Sequence, residues 1–585
     1  MTSSAYRHAT LVEAIDALAH TTPEKQFSFE GSNAAFEMLP FPTLYARVSQ
    51  VAQDLSVRGL LKGDRLGLII IEPRDFILSF LAALKLGVIP VPLYPPTGLA
   101  SLDAYSVRIA AILSTAQVGK VLTSNRISKL IWGVVHHCDC VSEVISFSTL
   151  SGEEPLATHT TIVPSDTAFL QFTSGSTDQP KGVVVTHAAL VANCHAIMVD
   201  GIKVDDDDVG VTWLPLYHDM GLIGFVLAPI YAPVSVHFIP TMRFLRRPHV
   251  WLDAIHNLRG TLTSGPNFAY ALAIRRATEA QLLKWDLSCI KMACCGAEPI
   301  HPDTLNAFSS VLSKHCGLNI NAMMPAYGLA EHTLAVTFSP LDQPLHVRTI
   351  DAVQFYDTGR ACISNDDNAK RLTHVSCGAP FPGHELSIRN HLQQEVKAET
   401  EGEIWVRGPS SASRYYNTDA PDTFDAAGWV HTGDLGYLSD QQLYITGRLK
   451  DLIIVHGRNI HPQEIEWSVQ AISGVRKGCV VAFSVQEQGS EVLILLVETR
   501  LDATLIPEIR TRVLRDHNLS AEHVILLAPQ TIPKTSSGKL QRSAAKRAYQ
   551  NGELNRTVVL PTWFTTVRHL LLASLAMLRH RLKIK

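Results

Sequence analysis

The chain has no charge excess of either sign. Its 51 Lys and Arg stand against 54 Asp and Glu, a net charge of −3, which argues against a protein built to coat nucleic acid. It has no regular cysteine framework. Ten cysteines are scattered over 585 residues, so reduced thiols in a cytosolic enzyme are expected. The stretch His136-His137-Cys138-Asp139-Cys140 holds metal-ligand types. Its Cys-x-Cys spacing is tighter than zinc sites use, and no second pair sits at a standard offset. Residues 1–20 lack the charged, apolar, small-residue order of a signal peptide, so a cytoplasmic location is expected. Internal repeats are absent.

What is present is size and alternation. A chain of this length exceeds one ordinary core, so two or more domains are expected. Hydrophobic content of 46% with 18% charged residues fits a globular enzyme. Residues 41–59 read as an amphipathic helix, Arg65 to Ile71 as a buried strand, Asp75 to Leu86 as a helix and Val88 to Val91 as a strand. That alternation, recurring to about residue 340, predicts an α/β fold with a parallel sheet under helices. Residues 340–373 carry the polar run Asn365-Asp366-Asp367-Asn368 and show no clean period. They read as an insertion or a long functional excursion. Glu403 to Val406 and Leu443 to Ile445 predict a more antiparallel part, and Gly447 with its charged neighbours marks a boundary. The predicted organisation is a large domain over residues 1–446, a small α+β domain over 447–560 and a tail over 561–585.

The most informative stretch is Phe169 to His187, FLQFTSGSTDQPKGVVVTH. Apolar segments flank a loop holding Thr173, Ser174, Gly175, Ser176 and Thr177, closed by Pro180, Lys181 and Gly182. Strand, hydroxyl-rich loop, strand suits a turn that grips polyphosphate. Glycine lets the backbone approach the ligand, successive N–H groups form an anion nest, and hydroxyls and lysine add donors and charge. A Walker A loop would need four residues between a glycine and GK[ST], leading into a helix, and no such string occurs.

This arrangement resembles the phosphate loop of the adenylate-forming superfamily: acyl-CoA synthetases, peptide-synthetase adenylation domains, luciferases and fatty acyl-AMP ligases. The resemblance implies layered βα subdomains followed by a small mobile C-terminal domain, with ATP and Mg²⁺ as cofactors. Further strings follow in the family's order. Ala326, Tyr327, Gly328 and Leu329 lead into Glu331, a hard oxygen ligand suited to Mg²⁺. Gly296, Ala297 and Glu298 resemble the strand end beside the adenine. Asp434, after a glycine turn, can accept ribose hydroxyls, and Arg448 adds a ribose or phosphate contact. Lys450 matches the hinge position. Lys539, in a Ser/Gly-rich loop, matches the lysine that enters the site and stabilises the transition state electrostatically. Each string alone is a common turn, and their joint order is specific. Two positions depart from the family: Asp178 and Arg414 stand where glycine is common.

Three strings look like fatty acyl-AMP ligases: GVIPVPLYPPTG from Gly87, LPLYHDMGLIG from Leu214 and THVSCGAPFPG from Thr373. The branch implies a fatty acid substrate and transfer of the acyl group to the phosphopantetheine thiol of a separate acyl carrier protein. It also implies an insertion near 340–373 that hinders CoA-directed chemistry. A long-chain acyl-CoA synthetase is the nearest alternative, and a catalytically inactive lipid-binding or membrane-docked scaffold is an alternative of another class. His218 reads as a tunnel gate or second-step residue. In the tail, Val567, Leu571, Leu575, Leu578 and Leu582 share one helical stripe with basic residues opposite. Its uncharged run is far too short to span a bilayer. A peripheral contact with an anionic membrane is one reading, and packing on its own domain or a partner is the plainer one.

Overall fold

The computed structural model describes residues 8–554 except 22–23, 32–33, 97–101, 136–137, 151, 157–159, 174–179, 365–369, 456–457, 488–489, 502 and 536–538. Ser174, Gly175, Ser176, Thr177 and Asp178, the polar run 365–368 and the tail 561–585 therefore lie outside the described residues.

Short apolar runs form the centre. Leu262–Gly265 and Met292–Cys295 are buried at every position, the signature of strands covered on both faces. They pair in parallel with each other, and the sheet continues in parallel through Met323–Gly328 on one side and through Val209–Thr212, Ser235–Phe238 and Gln26–Glu30 on the other. Antiparallel strands cap its edges, making nine in all. A second sheet of four parallel strands, Ile89–Pro92, Arg65–Ile69, Lys120–Thr123 and Glu143–Ser146, lies earlier in the chain. Helices such as Phe41–Val57 and Pro73–Leu86 bury their apolar faces on one large core with these strands. The helix Pro73–Leu86 opens with proline in its first turn and ends at Gly87, whose φ of +76° suits a residue without a Cβ.

Glu385–Arg389, Gly402–Arg407, Val430–Ser439 and Gln442–Arg448 form a four-stranded antiparallel sheet. After the short turn Leu449–Asp451, three strands (Val475–Glu487, Ser490–Thr499, Ala521–Leu527) pack with helices Pro462–Gln470, Leu505–His517 and Arg542–Gln550. No helix among the described residues is long and apolar enough to cross a membrane.

The described part of the stretch without a clean period has regular structure. It forms a strand Val347–Asp351, a helix Ala352–Thr358 and a strand Arg371–Val375 that pairs with the first. The helix is under two turns long, too short to show a period. Ile350, Phe355, Tyr356 and Leu372 share one apolar cluster with Ile453, Ile460, Ile465 and Val469 beyond the boundary turn.

Candidate active site

One cavity of about 2190 Å³ collects nearly every predicted residue that the structure describes. Thr173 and Lys181 enter it from the hairpin Thr167–Phe172/Gly182–Thr186, whose mouth is closed by a Thr173 N–H to Lys181 carbonyl bond of 3.2 Å. Arg414 to Tyr416 runs beside this hairpin as a third strand. The Val184 N–H donates to the Arg414 carbonyl, and the Tyr416 N–H donates to Gly182. Arg414 thus takes part through its backbone, and its exposed side chain is no obstacle where glycine is common.

Glu331 sits on the turn Ala330–His332. The Tyr415 hydroxyl donates to Glu331 Oε1 at 2.7 Å, and the Tyr415 ring lies 5.0 Å beneath Lys181 Nζ. One aromatic side chain therefore links the phosphate-loop lysine to the candidate metal carboxylate. The turn is braced from behind. Thr333, at φ +64° and ψ −64°, donates its hydroxyl to the Ser410 carbonyl at 2.7 Å, and His332 Nδ1 meets Ser411 Oγ at 3.0 Å. Holding a β-branched residue at positive φ costs energy that the surroundings supply. Gly328 is required here, since a Cβ would lie 2.1 Å from the Leu334 carbonyl oxygen.

Asp434 and Arg448 face each other across Val430–Ser439 and Gln442–Arg448. Arg448 Nε contacts Asp434 Oδ1 at 2.6 Å, and Tyr327 OH donates to Oδ2 at 2.7 Å. Both carboxylate oxygens already hold a protein partner, so ribose hydroxyls would use their remaining lone pairs. The Asp434 carboxylate raises the Arg448 pKa further, so its cation is secure. Gly296, Ala297 and Glu298 follow the strand Met292–Cys295, and Ala326, Tyr327, Gly328 and Leu329 form the neighbouring wall. Lys450 lies on the turn Leu449–Asp451, at the cavity's edge.

Lys539 reaches the same cavity from the C-terminal part. Its loop is pinned by a Lys539 N–H to Thr535 Oγ1 bond of 3.0 Å and a Thr535 N–H to Lys539 carbonyl bond of 2.8 Å. Burial lowers the Lys539 pKa, while Asp219 and Glu298 oppose that change. Burial raises Asp219 and Glu298, and Glu298 Oε1 accepts the Phe268 N–H at 2.7 Å. His218 is held down at about 3 by burial and by the Lys539 charge, so its imidazole is neutral near pH 7. A neutral ring can line a passage or donate one hydrogen bond, and it brings no charge to the α-phosphate.

Sequence reasoning missed Tyr415, Thr333 and Ser410. Tyr415 lies one residue beyond Arg414 in SSASRYYN, but nothing in that string reports its pairing with a hairpin more than two hundred residues earlier. For a cation, Glu331 offers one hard oxygen ligand of the kind Mg²⁺ takes, linked through Tyr415 to Lys181. No cluster of three or more His, Cys, Asp or Glu suited to a metal occurs among the described residues.

One large cavity lined by Lys181, Glu331, Asp434, Arg448 and Lys539, set in a divided α/β scaffold, is the arrangement of an adenylate-forming enzyme. The family model described as "AMP-binding enzyme" matches residues 16–416, and one described as "Disco-interacting protein 2-like, AMP domain" matches residues 450–558. The chain belongs to the AMP-binding enzyme family, among its fatty acyl-AMP ligases. It is similar to the medium-chain-fatty-acid–[acyl-carrier-protein] ligase JamA of Moorena producens, with 32% identity over 94% of this chain and 96% of that one. A Caulobacter vibrioides protein carrying an acyl-CoA synthetase name is 34% identical over 93% of this chain and 96% of that one. A solved fatty acyl-adenylate ligase, from work on the E. coli and L. pneumophila enzymes, superposes with a TM-score of 0.89. It is 36% identical, covering 94% of this chain and 99% of that one. The chain is thus an ATP-using enzyme that activates fatty acids as acyl adenylates.

Proposed function

We propose that the chain makes acyl-AMP from a fatty acid and ATP, then passes the acyl group to the phosphopantetheine thiol of a separate acyl carrier protein. In the first step a carboxylate oxygen bonds to the α-phosphorus, the bond to the bridging oxygen breaks, and pyrophosphate leaves. Thr173 and Lys181 hold phosphate oxygens, and Asp434 and Arg448 orient the ribose. Lys539 neutralises charge that develops as the acyl and leaving oxygens share the phosphorus. Glu331, fixed by Tyr415, would hold Mg²⁺, which supplies further charge neutralisation. The small domain then turns about Lys450. The carrier thiol attacks the acyl carbon, its proton passes to solvent, and AMP departs.

The observation that carries this reading is the meeting of Lys539 with Asp219 and Glu298 in the cavity that Asp434, Arg448 and Glu331 also line. The carrier as acceptor is supported by the similarity to JamA, a relative named for ligation to an acyl carrier protein. The synthetase name of the Caulobacter relative favours CoA instead. Incubation with palmitate, ATP and either CoA or a holo-carrier protein separates the two. Acyl-carrier should form and acyl-CoA should not, and efficient acyl-CoA formation overturns the carrier assignment.

A further inference from the structure

Part of the cavity wall is apolar and belongs to the large core, and we refer to it as the acyl arm. Met198, Ile202, Phe225, Pro229, Val234 and Val236 line it, and all six are buried. Two π-helical turns, Ala196–Gly201 and Ile223–Leu227, supply part of its wall. Such turns widen a helix locally and recur at functional sites. The second lies inside one continuous helical run. That run begins at Asp219, beside Lys539, and ends at Tyr231, in the core.

Gly224 sits within that π turn and lines the cavity. The other described glycines of the cavity wall have evident reasons to be glycine. An added Cβ at Gly221 would lie 2.4 Å from the Pro215 carbonyl oxygen, at Gly328 2.1 Å from that of Leu334, at Gly296 2.9 Å from that of Ala326, at Gly447 2.3 Å from His461 Nδ1, and at Gly210 3.1 Å from Val236. Gly433 and Gly478 have positive φ. Gly224 has neither constraint: the single atom within 4 Å of its added Cβ is a Leu334 methyl carbon at 3.9 Å. Protein packing does not call for glycine there, and glycine weakens a helix by about 1 kcal/mol. The free space beside it is the cavity itself.

We infer that Gly224 is the aperture of the acyl arm and sets the longest chain the enzyme accepts. This rests on the fatty-acid reading above. Five residues separate Asp219 from Gly224, roughly 7 Å at helical rise, so a side chain at 224 blocks methylenes beyond the first few and spares the carboxyl end. Leu334, whose methyl carbon would touch a Cβ at 224, packs beside it in the cavity wall.

The test measures kcat/KM for palmitate and for hexanoate by pyrophosphate release in the full chain, for Gly224→Ala, Gly224→Val and Gly224→Leu. The palmitate-to-hexanoate ratio should fall stepwise with side-chain size, reaching on the order of tenfold for Leu, the scale on which apolar pockets discriminate. Leu334→Ala added to Gly224→Leu should return part of the ratio. Three variants keep the test open if the largest does not fold. A ratio that stays constant across the folded variants overturns the inference, and so does equal loss on both acids. A wild-type chain that releases pyrophosphate with neither acid overturns the fatty-acid reading instead.

Discussion

At the scale of single residues, Tyr415 couples two functions. Its hydroxyl fixes one oxygen of Glu331 and its ring face supports Lys181. A hydrogen bond to a charged group contributes about 1.5–3 kcal/mol. Tyr415→Phe should therefore raise the Mg²⁺ concentration needed for half-maximal pyrophosphate release by roughly tenfold and leave the melting temperature near that of wild type. Calorimetric titration of Mg²⁺·ATP gives a second reading. An unchanged Mg²⁺ dependence would remove Tyr415 from the site. Lys539→Ala should lower pyrophosphate release by about 10² to 10³, the usual size of a lost electrostatic stabiliser. Because burial lowers the Lys539 pKa, its charge is lost at lower pH than an ordinary lysine's. The alkaline limb of the rate profile should fall early and move upward in Lys539→Arg, and an identical limb in that variant would assign it to another group. The residues carrying these predictions were unequally legible. Lys539, Glu331, Asp434 and Arg448 announce themselves through neighbours in sequence. Tyr415 acts through a strand pairing that local pattern cannot report.

At the scale of elements, the insertion is the informative piece. Its strand, helix and strand were hidden in sequence by their brevity and by an adjacent polar run, whereas the long buried strands and helices around them carried clear periods. Its contacts reach across the boundary turn. Phe355 lies 6.1 Å from the His461 ring and Asp357 Oδ1 accepts from Arg458 Nε at 3.0 Å, while Arg348 binds Ser439 and Glu399 on the near side of the turn. The hinge is also tied to the lysine-bearing segment, since Arg542 bridges Asp451 at 3.2 Å and Glu466 at 2.7 Å. Truncating a buried phenylalanine costs about 3–5 kcal/mol. Phe355→Ala should spend that locally, raising amide exchange over 347–375 and 453–460 and increasing acyl-CoA formation relative to wild type. Faster exchange without more acyl-CoA would show that the insertion stabilises the joint and leaves acceptor choice to other contacts.

At the scale of the whole molecule, six buried histidines bias the fold against acid. Burial holds His187, His237, His374 and His517 at about 4 and His218 and His332 at about 3. Unfolded, each would titrate at 6.5. Between those values the unfolded chain binds protons that the folded chain refuses, so stability is full above pH 6.5 and is lost as pH falls toward 4. Each group adds a slope of at most about 1.4 kcal/mol per pH unit. Glu401, lowered by its His461 partner, acts in the same direction at lower pH. Glu464 acts oppositely: burial raises it to about 7, so its contribution is present in acid and lost on the way to neutrality. Asp219, Glu298, Asp75, Glu30 and His461, all raised, act in the same opposing sense. With His8, His301 and His384 also lowered, the histidines remain the larger group, and a net stability of about 5–15 kcal/mol cannot absorb their joint slope for long. Unfolding followed by tryptophan fluorescence should show a melting temperature that is flat above pH 7 and falls steeply from about pH 6 to pH 4. His187→Gln or His517→Gln, neither of which lines the cavity, should flatten that fall by one histidine's share. A melting temperature that does not change over the same range would mean that these rings are protonated in the folded state.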